Sequence, residues 1–200
     1  MDHYAGFRQV AFGLMLGLLV LLSTACSGSL FKVKPVVELP ALPASARSAE
    51  SGGVRLSAAP LLSDEESQDL FEANLPLGGV LPLRIELGYQ TDGVPLLVKR
   101  ARFHLHDGEG HEWKFLSTKQ AIARILKANG VFLYNPYSRK EFEKDFTGYA
   151  VDLKTPLPFS EHRRQGFLFF QTPDKAPVRS PRGLVLSVTG LSQPLEIHLN

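Results

Sequence analysis

The stretch Val80-Leu81-Pro82-Leu83-Arg84-Ile85-Glu86-Leu87-Gly88-Tyr89 decides the fold class of this chain. Leu81, Leu83, Ile85, Leu87 and Tyr89 fall on one face of an extended segment, and Pro82, Arg84, Glu86 and Gly88 fall on the other. Such a period of two belongs to a strand with one face on a core. Pro82 has no N–H for a ladder, so an edge or strand-start position is expected for it.

Moving outward from this strand, the same alternation recurs. Val54 and Leu56 alternate with Arg55 and Ser57 in 53–59, and 94–98 supplies another short apolar piece after the turn Thr91-Asp92-Gly93. In 101–106, Ala101, Phe103 and Leu105 oppose Arg102, His104 and His106. Asp107-Gly108-Glu109-Gly110 turns the chain, and 112–116 returns as a hairpin partner through Trp113 and Phe115. Gly166-Phe167-Leu168-Phe169-Phe170 is apolar on both faces and reads as a central strand. After a Pro-rich loop over 172–183, Leu184, Leu186 and Val188 alternate, followed by Leu195, Ile197 and Leu199.

Helices enter in two places. Ser63 with Glu66 forms a capping-box pattern ahead of Leu70 and Phe71, with Asp64 and Glu65 at the positive end of the helix dipole. Ser117 with Gln120 forms a second, and Ala121, Ile122, Ile125 and Leu126 share one face before Asn129-Gly130. Ser138 with Glu141 opens a weaker helix that Phe142 and Phe146 pin to the core. The stretch 131–137 between them reads as an aromatic-rich loop. The expectation is a mainly β domain, an antiparallel immunoglobulin-like β-sandwich of 7–8 strands with helical insertions near 63–74 and 117–146. A partly closed barrel is the competing architecture.

The N-terminus carries the address. An apolar run over 10–22, broken by Gly13 and Gly17, leads into Leu21-Leu22-Ser23-Thr24-Ala25-Cys26, which holds the only cysteine of the 200 residues. A run of this length fits a secretory signal better than a spanning helix, which needs about 20 apolar residues. An uncleaved signal anchor, or a buried apolar helix with a chance cysteine, are the other readings. Ser23-Thr24-Ala25-Cys26 resembles the lipobox of bacterial lipoproteins, with Ser23 where Leu is commonest. That resemblance implies a diacylglyceryl group on Cys26, cleavage after Ala25, and acylation of the freed amine. Two or three chains anchor stably, where one does not. Ser27 is not the Asp that the family associates with inner-membrane retention, so in a source with two membranes the outer one, facing the periplasm, is expected.

The organisation that follows is a signal peptide at 1–25, the lipidated Cys26 with a flexible tether over 26–52, and one domain over 53–200. The tether is Ser-, Ala- and Pro-rich, a composition that favours an extended spacer. The body resembles immunoglobulin-like domains of bacterial lipoproteins through the strands around Leu83 and Phe103, the helical insertion and the run Gly166 to Phe170. That resemblance implies a fold and no activity.

Composition narrows the function. A hydrophobic content of 44% suffices for a core without disulfides, and one cysteine excludes an internal bridge. The formal net charge is +2, and loss of residues 1–25 removes one acid and one base, so no nucleic-acid partner is indicated. Glu161-His162-Arg163-Arg164 and Lys99-Arg100 with Arg102 read as solvated basic faces. There is no Gly-x-Ser-x-Gly elbow, phosphate loop or free cysteine beyond Cys26, and an enzyme is not expected. His104 and His106 share a strand face and His111 follows in the turn, so these three are the candidate metal ligands; otherwise no cofactor is expected beyond the lipid on Cys26. Tyr134 and Tyr137 are the candidate interaction surface, since exposed tyrosines favour interfaces. The partners implied are a membrane, through the anchor, and an envelope protein.

Overall fold

The computed structural model describes residues 39, 41–90, 95–128, 136–158, 161 and 163–200. Contacts divide the chain into Met1–Leu30 and Phe31–Asn200, and every described residue belongs to the second unit. Cys26, the apolar run, the turn at Thr91 and Tyr134 lie outside the described residues.

Eight strands are described: β1 (Arg47–Ser51), β2 (Val54–Pro60), β3 (Val80–Tyr89), β4 (Arg102–His106), β5 (Glu112–Leu116), β6 (Arg163–Gln171), β7 (Val185–Thr189) and β8 (Leu195–His198). They form one sheet in the order β1-β2-β3-β6-β5-β4-β7-β8, and every neighbouring pair is antiparallel. The outer strands β1 and β8 lie against each other, so the sheet curls into a nearly closed barrel. Ser51 Oγ donates to Gln193 Oε1 at 2.6 Å and Ser192 Oγ to the Gly52 carbonyl at 3.1 Å, which ties the β1–β2 turn to the β7–β8 turn. The antiparallel β content matches the sequence pattern, whereas the pairing runs through one sheet and does not divide it into two.

Closure follows from where the apolar positions point. Val54 and Leu56 on β2, Leu81 to Tyr89 on β3, Phe103 and Leu105 on β4, Leu168 and Phe170 on β6, and Leu186, Val188, Leu195 and Ile197 on β7 and β8 form one buried interior cluster. A second cluster lies on the outside of β3 and β6. Here α1 (Asp64–Phe71), α2 (Thr118–Ala128) and α3 (Pro136–Tyr149) pack Phe71, Ile122, Ile125, Phe142, Phe146 and Tyr149 onto Phe167 and Phe169. The Phe71 ring lies 5.2–5.4 Å from Phe146, Tyr149 and Phe167, the range of aromatic pairing. β6 therefore sits between two cores, which is why its sequence is apolar on both faces.

The caps form as their residues dictate. Ser63 Oγ accepts the Glu66 N–H at 3.3 Å. At α2 the exchange is reciprocal: the Ser117 N–H donates to Gln120 Oε1 at 2.9 Å, and the Gln120 N–H to Ser117 Oγ at 3.4 Å. Pro136 and Tyr137, read as loop, are the first residues of α3.

Two expectations change, and for Pro82 the strand-start alternative holds. Arg47–Ser51, inside the stretch read as tether, is β1, and Leu39 packs against the outer cluster. The folded domain thus starts before Gly53. Of the stretch 94–98, the described residues contribute a bridge, Leu96 to Leu157, and then a 3-10 turn at Val98–Arg100. Pro82 lies on a central strand, near its start. Its carbonyl accepts the Leu61 N–H at 2.9 Å beyond the last β2–β3 pair, Pro60–Leu83, so its ring nitrogen faces β2 at the final rung, where only the reciprocal bond is lacking.

One end of the barrel is plugged by 150–158. Val151 and Leu157 join the interior cluster, and Val151 crosses Gly166 so closely that a Cβ at Gly166 would meet its N and Cα at 2.5 Å. Gly166→Ala is expected to destabilise the domain by about 1–3 kcal/mol or more, since backbone on a central strand cannot retreat. At 2–4 °C per kcal/mol the melting temperature should fall by roughly 5 °C. An unchanged melting curve would contradict the crossing.

Candidate functional site

The opposite end of the barrel carries the β4–β5 turn and the loop 172–183. Asp107 organises the turn. Its Oδ1 accepts the backbone N–H groups of Glu109 at 3.0 Å and His111 at 2.9 Å. Its Oδ2 takes the Trp113 indole N–H at 3.2 Å and lies 3.3 Å from His111 Nδ1. Burial opposes the Asp107 charge, but the N–H groups of His111, Trp113 and Glu109 outweigh it and hold the carboxyl below the ordinary aspartate value.

The loop is fastened on both flanks. The Gly108 N–H donates to the Arg182 carbonyl at 2.9 Å, and Asn200 bonds the Leu184 N–H at 2.9 Å and the Pro181 carbonyl at 2.7 Å. On the other side Arg124 of α2 reaches the Gly78 carbonyl at 3.1 Å and the Lys175 carbonyl at 2.5 Å. Between turn and loop lies a cleft of about 990 Å³ lined by Asp107, His111, Trp113, Asp174, Arg179 and Arg182. Its volume is that of a ligand-sized site. Arg179 and Arg182 are exposed on its rim.

A depressed Asp107 pKa has a defined sign. The carboxylate contributes stability above the unfolded value near 3.8, and that contribution is lost as pH falls through the lower folded value. Asp107→Asn keeps an oxygen for the backbone donors and loses the charge. It is expected to cost about 1–2 kcal/mol at pH 7, in line with hydrogen bonds to charged groups, and to flatten the acid limb of the stability profile. Urea titrations at pH 7 and pH 3.5, followed by the single tryptophan, check both; equal losses at the two pH values would refute the assignment.

The histidines do not converge. His104 and His106 share the outer face of β4, half exposed, while His111 belongs to the turn and faces Asp107 and Glu109. His104 Nδ1 instead lies 3.2 Å from Glu112 Oε1, and Glu112 is the cross-strand partner of His106. Among the described residues no group of three or more His, Cys, Asp or Glu side chains is placed to hold a metal ion. The Tyr137 side chain, like Tyr134 and Cys26, lies outside what is described, whereas Phe142, Phe146 and Tyr149 are core.

Two sites escaped the sequence. Arg164, read as part of a solvated basic face, is buried at 9% exposure. It grips both Glu161 carboxylate oxygens, at 2.9 and 2.7 Å, and the carbonyls of Asp152, Thr155 and Pro156 at 2.9, 2.6 and 3.1 Å. The hydrogen bond to Glu161 raises the Arg164 pKa, and the same bond lowers that of Glu161. Arg102 is likewise engaged, its Nη1 donating to the carbonyls of Lys99, Arg100 and Ala101 at 3.2, 3.3 and 3.1 Å. Alternation held the signal for Arg164, which is in phase with the inward Gly166, Leu168 and Phe170. The second is Phe115, whose ring faces inward yet is 42% exposed.

No protein-family model matches the chain, and neither a curated protein nor a solved structure matches it significantly.

Proposed function

We propose that this chain is a membrane-anchored envelope lipoprotein whose barrel domain is a non-catalytic binding or scaffold module, held through lipid on Cys26 at an outer membrane and facing the periplasm. The anchor rests on the apolar run that ends in Ser23-Thr24-Ala25-Cys26. The binding role rests on the cleft between the β4–β5 turn and the loop 172–183: it is ligand-sized and fastened on both flanks, and its Asp107 carboxylate is committed to holding the turn. Exposed Arg179 and Arg182 suit an acidic surface on the partner.

The finer fold description belongs to the same proposal. β5 pairs β4 through Glu112 and Trp113 and β6 through Lys114, Phe115 and Leu116, which supports reading it as a corner between a β1-β2-β3-β6-β5 layer and a β5-β4-β7-β8 layer. An immunoglobulin-like sandwich drawn on these strands would use β5 as that corner.

Cross-linked affinity purification of the lipidated protein from its own envelope tests the binding role. A reproducible partner is expected, with recovery reduced at least fivefold by Arg179→Glu/Arg182→Glu in a protein of unchanged melting temperature. No reproducible partner, or recovery indifferent to the charge reversal, would overturn the cleft as the binding surface.

A metal-carrying lipoprotein using His104, His106 and His111 is the second reading. Glu112 lies 3.2 Å from His104 and opposite His106, although among the described residues no group of three or more His, Cys, Asp or Glu side chains is placed to hold an ion. Metal analysis of protein purified without chelators, beside a His104→Ala/His106→Ala variant, decides it: stoichiometric metal in the parent alone supports the reading, and traces in both end it. Self-association through exposed edge strands has less support, because β1 and β8 face each other.

A further inference from the structure

The barrel wall changes partner beside β6. β5 pairs with β6 only from Lys114↔Gln171 to Leu116↔Phe169, and the chain then leaves the sheet into α2. The next partner on that side of β6 is the plug, through the bridge between Ala150 and Phe167. Between the end of β5 and the plug lies a notch of about 570 Å³ that includes Phe115, Val151, Leu153 and Leu168.

Phe115 is what makes this notch informative. Its ring sits 5.5 Å from Phe170 and 6.4 Å from Phe103, both inward-facing members of the interior cluster, and Trp113, two residues back on the same face, is buried at 5%. The side chains of the interior cluster are buried and those packed against it, such as Leu153 and Leu191, are partly buried, whereas Phe115 is 42% exposed. The notch therefore opens onto the apolar interior, and the mouth of a barrel is a recurrent place for an apolar ligand.

The rim supplies the charge. Lys119, in the first turn of α2, and Lys154, in the plug, both line the notch and are exposed, and among the described residues neither is in an ion pair. Asp152, the acidic residue between them, spends Oδ1 on the Lys154 and Thr155 N–H groups at 2.8 and 3.2 Å, and hydrogen bonds from Thr155, the largest influence, keep it ionised. An apolar floor beneath two uncommitted ammonium groups fits a hydrocarbon chain that ends in an anionic group.

We propose that this notch binds an anionic amphiphile, its chain against Phe115, Val151, Leu153 and Leu168 and its head at Lys119 and Lys154. The site is separate from the cleft at the other end of the barrel and does not depend on the anchor.

The chain has a single tryptophan, and Trp113 lies about 7 Å along the strand from Phe115, close enough for a bromine in the notch to quench it. The full-length chain carrying Cys26→Ala, purified without detergent, is titrated with 11-bromoundecanoate below its micelle concentration. Saturable quenching is expected, weakened at least tenfold by Lys119→Glu/Lys154→Glu. Neither substitution touches the core, and an acidic residue in the first turn suits the α2 dipole, so the melting temperature should hold and separate lost binding from lost fold. A trimethylammonium head on the same brominated chain should bind at least tenfold more weakly. Absence of saturation, equal quenching in the charge-reversed variant, or equal binding of the cationic chain would overturn the proposal; the last would assign the notch to an apolar side chain of a protein.

Discussion

Arg164→Ala is expected to destabilise the domain by about 3–5 kcal/mol, the range for breaking a buried ion pair from one side. At 2–4 °C per kcal/mol the melting temperature should drop by roughly 10 °C. The magnitude follows from what one guanidinium holds. Three plug carbonyls and the Glu161 carboxylate converge on it, and its removal leaves those carbonyls without their donor and the segment 150–158 without its clasp to β6. Glu161 is 38% exposed and recovers part of its solvation from water, so most of the loss comes from the carbonyls. Arg164→Lys should recover less than half, because an ammonium cannot reproduce the planar fork. Denaturant titration checks both variants, and a loss below 1 kcal/mol for Arg164→Ala would show that the plug holds by its apolar contacts and backbone bridges without the guanidinium.

The plug links stability to both proposed binding surfaces. It sets one wall of the notch beside Phe115 and seals the barrel end opposite the cleft. Beside the backbone bridge between Ala150 and Phe167, Gly166 and Arg164 attach it to β6, one by vacating space and the other by filling the carbonyl bonds. A destabilised plug should therefore weaken binding at the notch before it affects the cleft.

How much of this was legible depended on whether the signal was local. The alternation of β3, the reciprocal cap and apolar face of α2, and the doubly apolar β6 are local patterns, and each appears where its residues place it. β1 has no such pattern. Arg-Ser-Ala-Glu-Ser is short and mostly exposed, and only its ladder with β2 makes it a strand. The curl of the sheet is equally non-local, since nothing in β1 or β8 taken alone says that they meet. Arg164 was missed because the cluster around it was read by charge, whereas its strand phase points inward. The histidines were grouped by nearness in sequence, and the β4–β5 turn then gave His111 to Asp107 and left His104 to Glu112.

The second large effect concerns Cys26, the residue on which the account of the protein as an envelope lipoprotein turns. Two or three acyl chains make attachment effectively permanent, at about 0.8 kcal/mol per buried methylene, and the cysteine is the only one in the chain. Losing its sulfur should remove attachment entirely and leave the barrel untouched, since every described residue lies beyond it.

Fractionation of cells producing full-length Cys26→Ala beside the parent tests this most directly, with export confirmed by protease access in opened envelopes and folding by the melting temperature. The account predicts the parent in the membrane fraction and the variant exported, folded at the parent melting temperature and soluble. An exported, folded variant that still sediments with membranes would contradict it.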